Sequence, residues 1–151
     1  MLARLVIALT LGAILGTERE LVGKEAGIRT EMLISGGASL FAMIALTLPY
    51  VAAGLSGSAM DLMAQAGAFP VVANIVVGIG FLGAGVIIKL NDRPHGLTTA
   101  ALVWLTAAIG ILAGLGMTML AATAAVLVAV ALYVLRKMNV SERLERHSEH
   151  L

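Results

Sequence analysis

Long apolar runs broken by short charged clusters set the pattern of this chain, with neither strand-like alternation nor a one-sided helical stripe. Between Arg93 and Arg136 there is no Asp, Glu, Lys or Arg, and His95 is the one histidine. A helix rises about 1.5 Å per residue and a bilayer's hydrocarbon core is about 30 Å thick, so one crossing takes about 20 residues. The gap therefore holds two spans, Leu97–Gly114 and Met117–Leu135, with Gly114-Leu115-Gly116 as the hairpin. A third, Val71–Leu90, is closed by Lys89 and the polar turn Asn91-Asp92-Arg93-Pro94-His95-Gly96. A fourth is Thr30–Leu48, stopped at Pro49. The shortest is Met1–Thr17, whose Arg4 is expected to snorkel to a headgroup. The expected fold is all-α: a bundle of five transmembrane helices over 1–137, with a polar tail, 138–151, too short to fold alone. Between the second and third spans in chain order, Gly54, Ser56, Gly57 and Ser58 mark a loop, and Ala59–Phe69 is expected to form a short interfacial helix.

Composition sharpens this into a membrane protein. Apolar residues make up 60% of the chain and charged ones 13%, against roughly 45–50% and about 25% in soluble proteins. The net charge of +1 gives no field for nucleic acid. With no cysteine, thiolate metal sites and thiol nucleophiles are excluded. Residues 1–17 have the make-up of a signal peptide, but no small-residue cleavage site follows. Charge placement opposes cleavage too. With the N-terminus outside and the C-terminus cytoplasmic, Arg19, Lys24, Arg29, Lys89, Arg93, Arg136, Lys137, Arg143 and Arg146 all fall inside and only Arg4 outside, the positive-inside pattern.

Gly78, Gly80 and Gly83 spell G-x-G-x-x-G, the spacing of a dinucleotide-binding turn. The nearest following acid is Asp92, far short of the roughly 20-residue spacing such a site needs. At mid-membrane depth the backbone must bond internally, which favours continuous helix. Gly78, Gly80, Gly83 and Gly85 are instead expected to admit close neighbours on two faces, placing this span in the middle of the bundle. Further small-residue ladders are Ala8-Gly12-Gly16, Ser35-Ser39, Ala38-Ala42, Thr106-Gly110-Gly114 and Ala121-Ala125-Ala129. One of them serves equally well for contact with a second copy, so a homo-oligomer is an open expectation.

The densest polar stretch is TERELVGKEAGIRTE, Thr17 to Glu31. If helical, it pairs Glu20 with Lys24 and Glu25 with Arg29 at i,i+4; if a loop, it is solvated; its Arg residues also suit docking to carboxylates or lipid headgroups. Glu18, Glu20 and Asp92 are a weak candidate set for Mg²⁺, which is commonly held by one or two carboxylates plus water. Asn74 is the intramembrane polar side chain of interest, as an interhelical hydrogen-bonding group or the lining of a polar path. Thr98, Thr99 and Thr106 are expected to bond their own helix backbone, and Trp104 to pack. His147 and His150 in the tail are expected to be solvated. Acids and bases are expected only near span ends, where proton and ion relays usually need them deeper. No Ser-His-Asp set can plausibly assemble, and neither catalysis nor a cofactor is expected.

With these residues in view, the chain resembles the MgtC/SapB family of bacterial inner-membrane proteins. The match is carried by GTERELVGKEAGIRTEMLI, by VGIGFLGAGVI and by GLTTAALVWLTAAIGILAGLG. It singles out the rim residues Glu18, Arg19, Glu20, Gly23, Lys24, Gly27, Arg29 and Thr30, the glycine block, and Gly96, Thr98 and Thr99. Glu25 stands where the family often has Pro, Glu31 where it often has His, and Pro70 and Asn74 where it often has Arg and Gln. The resemblance implies a short form without the ACT-like C-terminal domain of longer members. It also implies a link to growth at low magnesium and to survival in host cells, with a non-enzymatic effect on membrane energetics or Mg²⁺ homeostasis. The implied partners are the bilayer and a membrane protein such as the membrane sector of the rotary ATP synthase. A cation transporter is the alternative.

Overall fold

The computed structural model describes residues 1–53, 69–90 and 93–138. The expected interfacial helix over 59–69 falls outside these except for Phe69, as do Asp92 and the histidines of the tail. Five helices form: α1 Leu2–Leu21, α2 Ile28–Ala53, α3 Phe69–Val86, α4 Leu97–Leu115 and α5 Thr118–Lys137. Two three-residue strands, β1 Ile88–Leu90 and β2 Arg93–His95, pair antiparallel between α3 and α4, with Ile88 opposite His95 and Leu90 opposite Arg93. The expected third span is thus cut short at Val86, and its last residues turn into the hairpin.

Four helices have the length and apolarity to cross a membrane: Ile28–Val51, Phe69–Val86, Leu97–Leu115 and Thr118–Lys137. α1 is 20 residues long but carries Arg4 near one end and Glu18-Arg19-Glu20 at the other. The molecule is apolar on its outside as well as inside: Val77, Phe81, Met119 and Leu127 are among many large side chains left exposed. In water such a surface would aggregate; in hydrocarbon it is the expected state.

Two boundaries move for physical reasons. α2 continues through Pro49 to Ala53. Proline removes one N–H and leaves the carbonyl four residues earlier unpaired, a loss that helices of a membrane bundle tolerate. α1 runs on to Leu21, so Glu18, Arg19 and Glu20 sit on helix. It then stops at Gly23, which adopts φ +68, a conformation cheap only for glycine. The Gly23 N–H donates to the Glu20 carbonyl and the Lys24 N–H to the Arg19 carbonyl, the two bonds of a Schellman stop. This stop breaks the expected i,i+4 pairs, because Lys24 lies past the helix end and Glu25 precedes α2.

α4, not α3, is the central helix: it alone packs substantially against all four others. On one side Ile109 and Ala113 meet Ala8, Leu11 and Leu15 of α1 and Ala121 and Ala125 of α5. On the other, Ala107 and Ile111 meet Ala38 and Ala42 of α2, with Val72, Ile75 and Ile79 of α3 at the margin. α3 lies at the edge. Its middle residues lack the small partners that the other ladders find across the interface, so among the described residues three of its four glycines stay open and only Gly83 is buried. A Cβ at Gly78, Gly80 or Gly85 would meet nothing, and one at Gly83 only Ala100 at ordinary contact. Trp104, expected to pack, is 50% exposed, because α4 turns its small residues inward.

Candidate functional site

The tightest contact in the molecule is the crossing of α1, α2 and α4. Gly12 lies against the Glu31 carbonyl, Gly16 against the Ile28 backbone, Gly110 against the Ser35 carbonyl and Gly114 against the Ser39 carbonyl. In lipid, close van der Waals contact supplies the association energy that hydrophobic burial gives in water. Ladders in α1, α2 and α4 therefore do what their spacing implies.

The same crossing carries a buried polar seam. Arg19, Glu31, Ser35, Ser39, Thr99 and Thr106 are all buried, with Arg19 at 5% and Glu31 at 0% exposure. Glu31, Ser35 and Ser39 recur at four-residue spacing along α2, and Thr99 and Thr106 at seven along α4. Arg19 donates to the Thr99 hydroxyl at 3.5 Å, and Thr99 donates to Glu25 Oε2 at 3.2 Å. Its guanidinium also lies 3.5 Å from Glu18 Oε2. Both Glu31 carboxylate oxygens, and the hydroxyls of Ser35, Ser39 and Thr106, have no hydrogen-bond partner among the described residues. An unpartnered polar group in such a place costs about 1–3 kcal/mol, more if charged, so this seam is not explained by stability.

Other rim residues have structural work. The exposed Glu20 carboxylate accepts from the Ile28 N–H at 2.8 Å, putting an anion at the N-terminus of α2, where the helix dipole favours it. Gly27 leaves room for that carboxylate. Glu20→Ala is expected to cost about 1 kcal/mol, read as a lower melting temperature in detergent with no change in oligomeric state. Gly96 begins α4 with φ +83, its α-carbon pressed against the Val86 carbonyl at the end of α3. Lys24, Arg29, Thr30 and Thr98 are exposed. Glu18 and Glu20 serve different partners, and no group of three acidic or histidine side chains converges among the described residues.

Three expectations are corrected here. Thr98, Thr99 and Thr106 do not bond their own helix; Thr10, Thr17, Thr47 and Thr123 do. Arg4 does not simply reach for solvent: half-buried, it donates to the Gly114 carbonyl at 3.1 Å, a cation at the C-terminus of α4. Glu31, which counted only as a rim residue, faces inward and is wholly buried. Its i,i+4 spacing to Ser35 and Ser39 was the available signal.

Glu25 lies outside the spans. Its carboxyl is held below the usual carboxylate range, first by its own backbone N–H and then by the Thr99 hydroxyl. A depressed folded value means that this tie stabilises above the unfolded value, about pH 4.3, and is lost as pH falls through the folded one. Thr99→Val is therefore expected to lower the melting temperature most near neutral pH. Its deficit against wild type should shrink below about pH 4, as a melting-temperature series from pH 7 to 3 would show.

These features define a multi-pass helical membrane protein with a charged rim and a polar seam leading inward from it. The chain belongs to the MgtC family, which it matches over residues 5–141. It is 37% identical over 162 residues to the "Putative magnesium transporter YhiD" of Escherichia coli K12, covering 100% of this chain and 68% of that protein. It is also 37% identical over 133 residues to Protein MgtC of Salmonella typhimurium LT2, covering 88% of this chain and 51% of the relative. A third relative, Protein SrpB of Synechococcus elongatus, is 38% identical over 123 residues, 76% of this chain and 63% of its own. The chain thus spans about half the length of the Salmonella relative. No solved structure matches it.

Proposed function

We propose that this protein is a non-enzymatic regulator in the bacterial inner membrane, modulating membrane energetics or Mg²⁺ homeostasis by docking on another membrane protein. The observation that carries this reading is the outward face of α3. Val77 and Phe81 are 72% and 81% exposed, Gly80 beside them has no neighbour, and Ala73 and Ala84 complete the same helical face. Small residues flanking a large one suit a close helix–helix contact in lipid, and no described residue of the chain covers them. The membrane sector of the rotary ATP synthase is the partner that the family resemblance supplies. The rim basics Arg19, Lys24, Arg29, Arg136 and Lys137 lie at one end of the bundle and Arg4 at the other, which supports a cytoplasmic rim. Copurification from native membranes tests the reading. One defined protein is expected to be retained by wild type and lost in Gly80→Leu; equal recovery with both would sink it.

A second reading, cation transport, is favoured by Glu31. An intramembrane ionisable side chain is a functional-site hypothesis by default, and the relative from Escherichia coli is named for magnesium. Asn74 is exposed on α3 and lies outside the buried seam that holds Glu31. Saturable Mg²⁺ uptake into liposomes, lost in Glu31→Gln, is the expected sign of transport; no uptake by wild type contradicts it.

A further inference from the structure

α2 and α3 run antiparallel and splay apart, leaving an open groove of about 820 Å³ with Val103 of α4 at its floor. That size falls within the roughly 300–1,000 Å³ of ordinary ligand pockets. Arg29 and Thr30 stand at one mouth, level with Val86; Phe41 and Val71 stand at the other end. Between them the walls are almost wholly apolar, with Leu33 and Gly37 on α2 and Gly78 and Leu82 on α3. Asn74 is the exception, close to the far end.

Charge and length together select an occupant. Arg29 is exposed, and among the described residues no carboxylate forms a salt bridge with it. A lone guanidinium at the mouth of an apolar groove offers bidentate hydrogen bonds to a phosphate, with the Thr30 hydroxyl beside it. From Arg29 to Phe41 the helix rises about 18 Å, close to the roughly 15 Å depth of half a bilayer's hydrocarbon core. A headgroup at Arg29 would therefore send one acyl chain down the groove to about the middle of the membrane.

We infer that the α2–α3 groove is a binding site for one anionic glycerophospholipid, its phosphate on Arg29 and Thr30 and an acyl chain along the Gly37–Gly78 wall. A free phosphate would leave the apolar wall unused, and a zwitterionic lipid would set a second cation near Arg29. The site uses the side of α3 opposite Val77 and Phe81, so it stands independently of the partner-docking reading.

Native mass spectrometry of the detergent-solubilised protein with phosphatidylglycerol or phosphatidylethanolamine is the test. Wild type is expected to retain one phosphatidylglycerol per chain, at least tenfold more tightly than phosphatidylethanolamine. Arg29→Gln should erase that preference. Gly37→Phe should abolish retention with the melting temperature unchanged, because a Cβ at Gly37 meets nothing and the ring can occupy the groove. Equal retention of the two lipids, an unaltered preference in Arg29→Gln, or a lipid-free dimer that buries the groove would each overturn the assignment. So would lipid binding left unchanged in Gly37→Phe, which would place the lipid elsewhere.

Discussion

Gly110→Ala is expected to destabilise the protein by about 3 kcal/mol, at the upper end for overpacking a tight contact, and Gly110→Leu to prevent assembly. Gly110 sits where α4 crosses α2, and its missing side chain is what lets the Ser35 backbone approach. A methyl group there would coincide with the Ser35 carbonyl, a backbone atom that moves only if the whole helix moves. The crossing also joins α1 through Gly12, so displacing α2 would open two interfaces together. Gly80→Ala is the matched control. Its Cβ meets nothing, and alanine is a better helix former than glycine by about 0.8–1.0 kcal/mol, so stability should hold or rise. Thermal unfolding in detergent of the two variants makes the comparison. Equal losses would mean that the crossing is looser than described.

Arg19→Ala is expected to cost about 3–5 kcal/mol, the usual penalty for removing one partner from a buried charged set. Arg19 pairs with Glu18 on α1, ties α1 to α4 through Thr99, and shares the buried seam with Glu31. Without it, Glu18 loses its ion-pair partner and Glu31 stays buried with no buried cation among the described residues. Adding Glu31→Gln to the Arg19→Ala protein should recover part of the loss, because it removes a carboxylate that no longer has a counter-ion. A double-mutant cycle should show coupling of more than about 1 kcal/mol. Strict additivity of the two changes would separate Arg19 from Glu31 and dissolve the seam as a unit.

Much of the fold was legible because lipid allows few solutions. The gap between Arg93 and Arg136 gave α4, α5 and the glycine turn between them. The ladders in α1, α2, α4 and α5 named residues that the structure buries, such as Ala8, Ser35, Gly110 and Ala121. The glycine block misled for a reason built into such ladders. Small residues announce a close neighbour without saying whether it belongs to the same chain, and among the described residues only Gly83 of the α3 block finds one, at Ala100. Pro49 misled because its stop signal is weakest where a bundle can absorb a lost backbone bond.

At the rim, the residue set was legible and its geometry was not. Arg19, Glu25 and Thr99 were all in view, but 80 residues separate Arg19 from Thr99, and only tertiary packing reveals the bond between them. Gly23, Gly27 and Gly96 looked functional. Their work is to stop α1, seat the Glu20 carboxylate and start α4, which holds the rim in shape. Glu31 was underestimated because nearness to a span end suggested access to water. The tight crossing at Gly12 and Gly110 denies it that access.

The division between glycines that hold the chain together and a face of α3 left for another protein is most directly tested by photo-crosslinker scanning along α3 in native membranes. Adducts to one protein are expected from positions 77 and 81 and none from 72, 75 and 79, while probes at 80 and 84, where bulk keeps the partner off, give none and keep wild-type stability in detergent. Adducts spread evenly around the helix, or loss of stability at 80 and 84, would contradict the account.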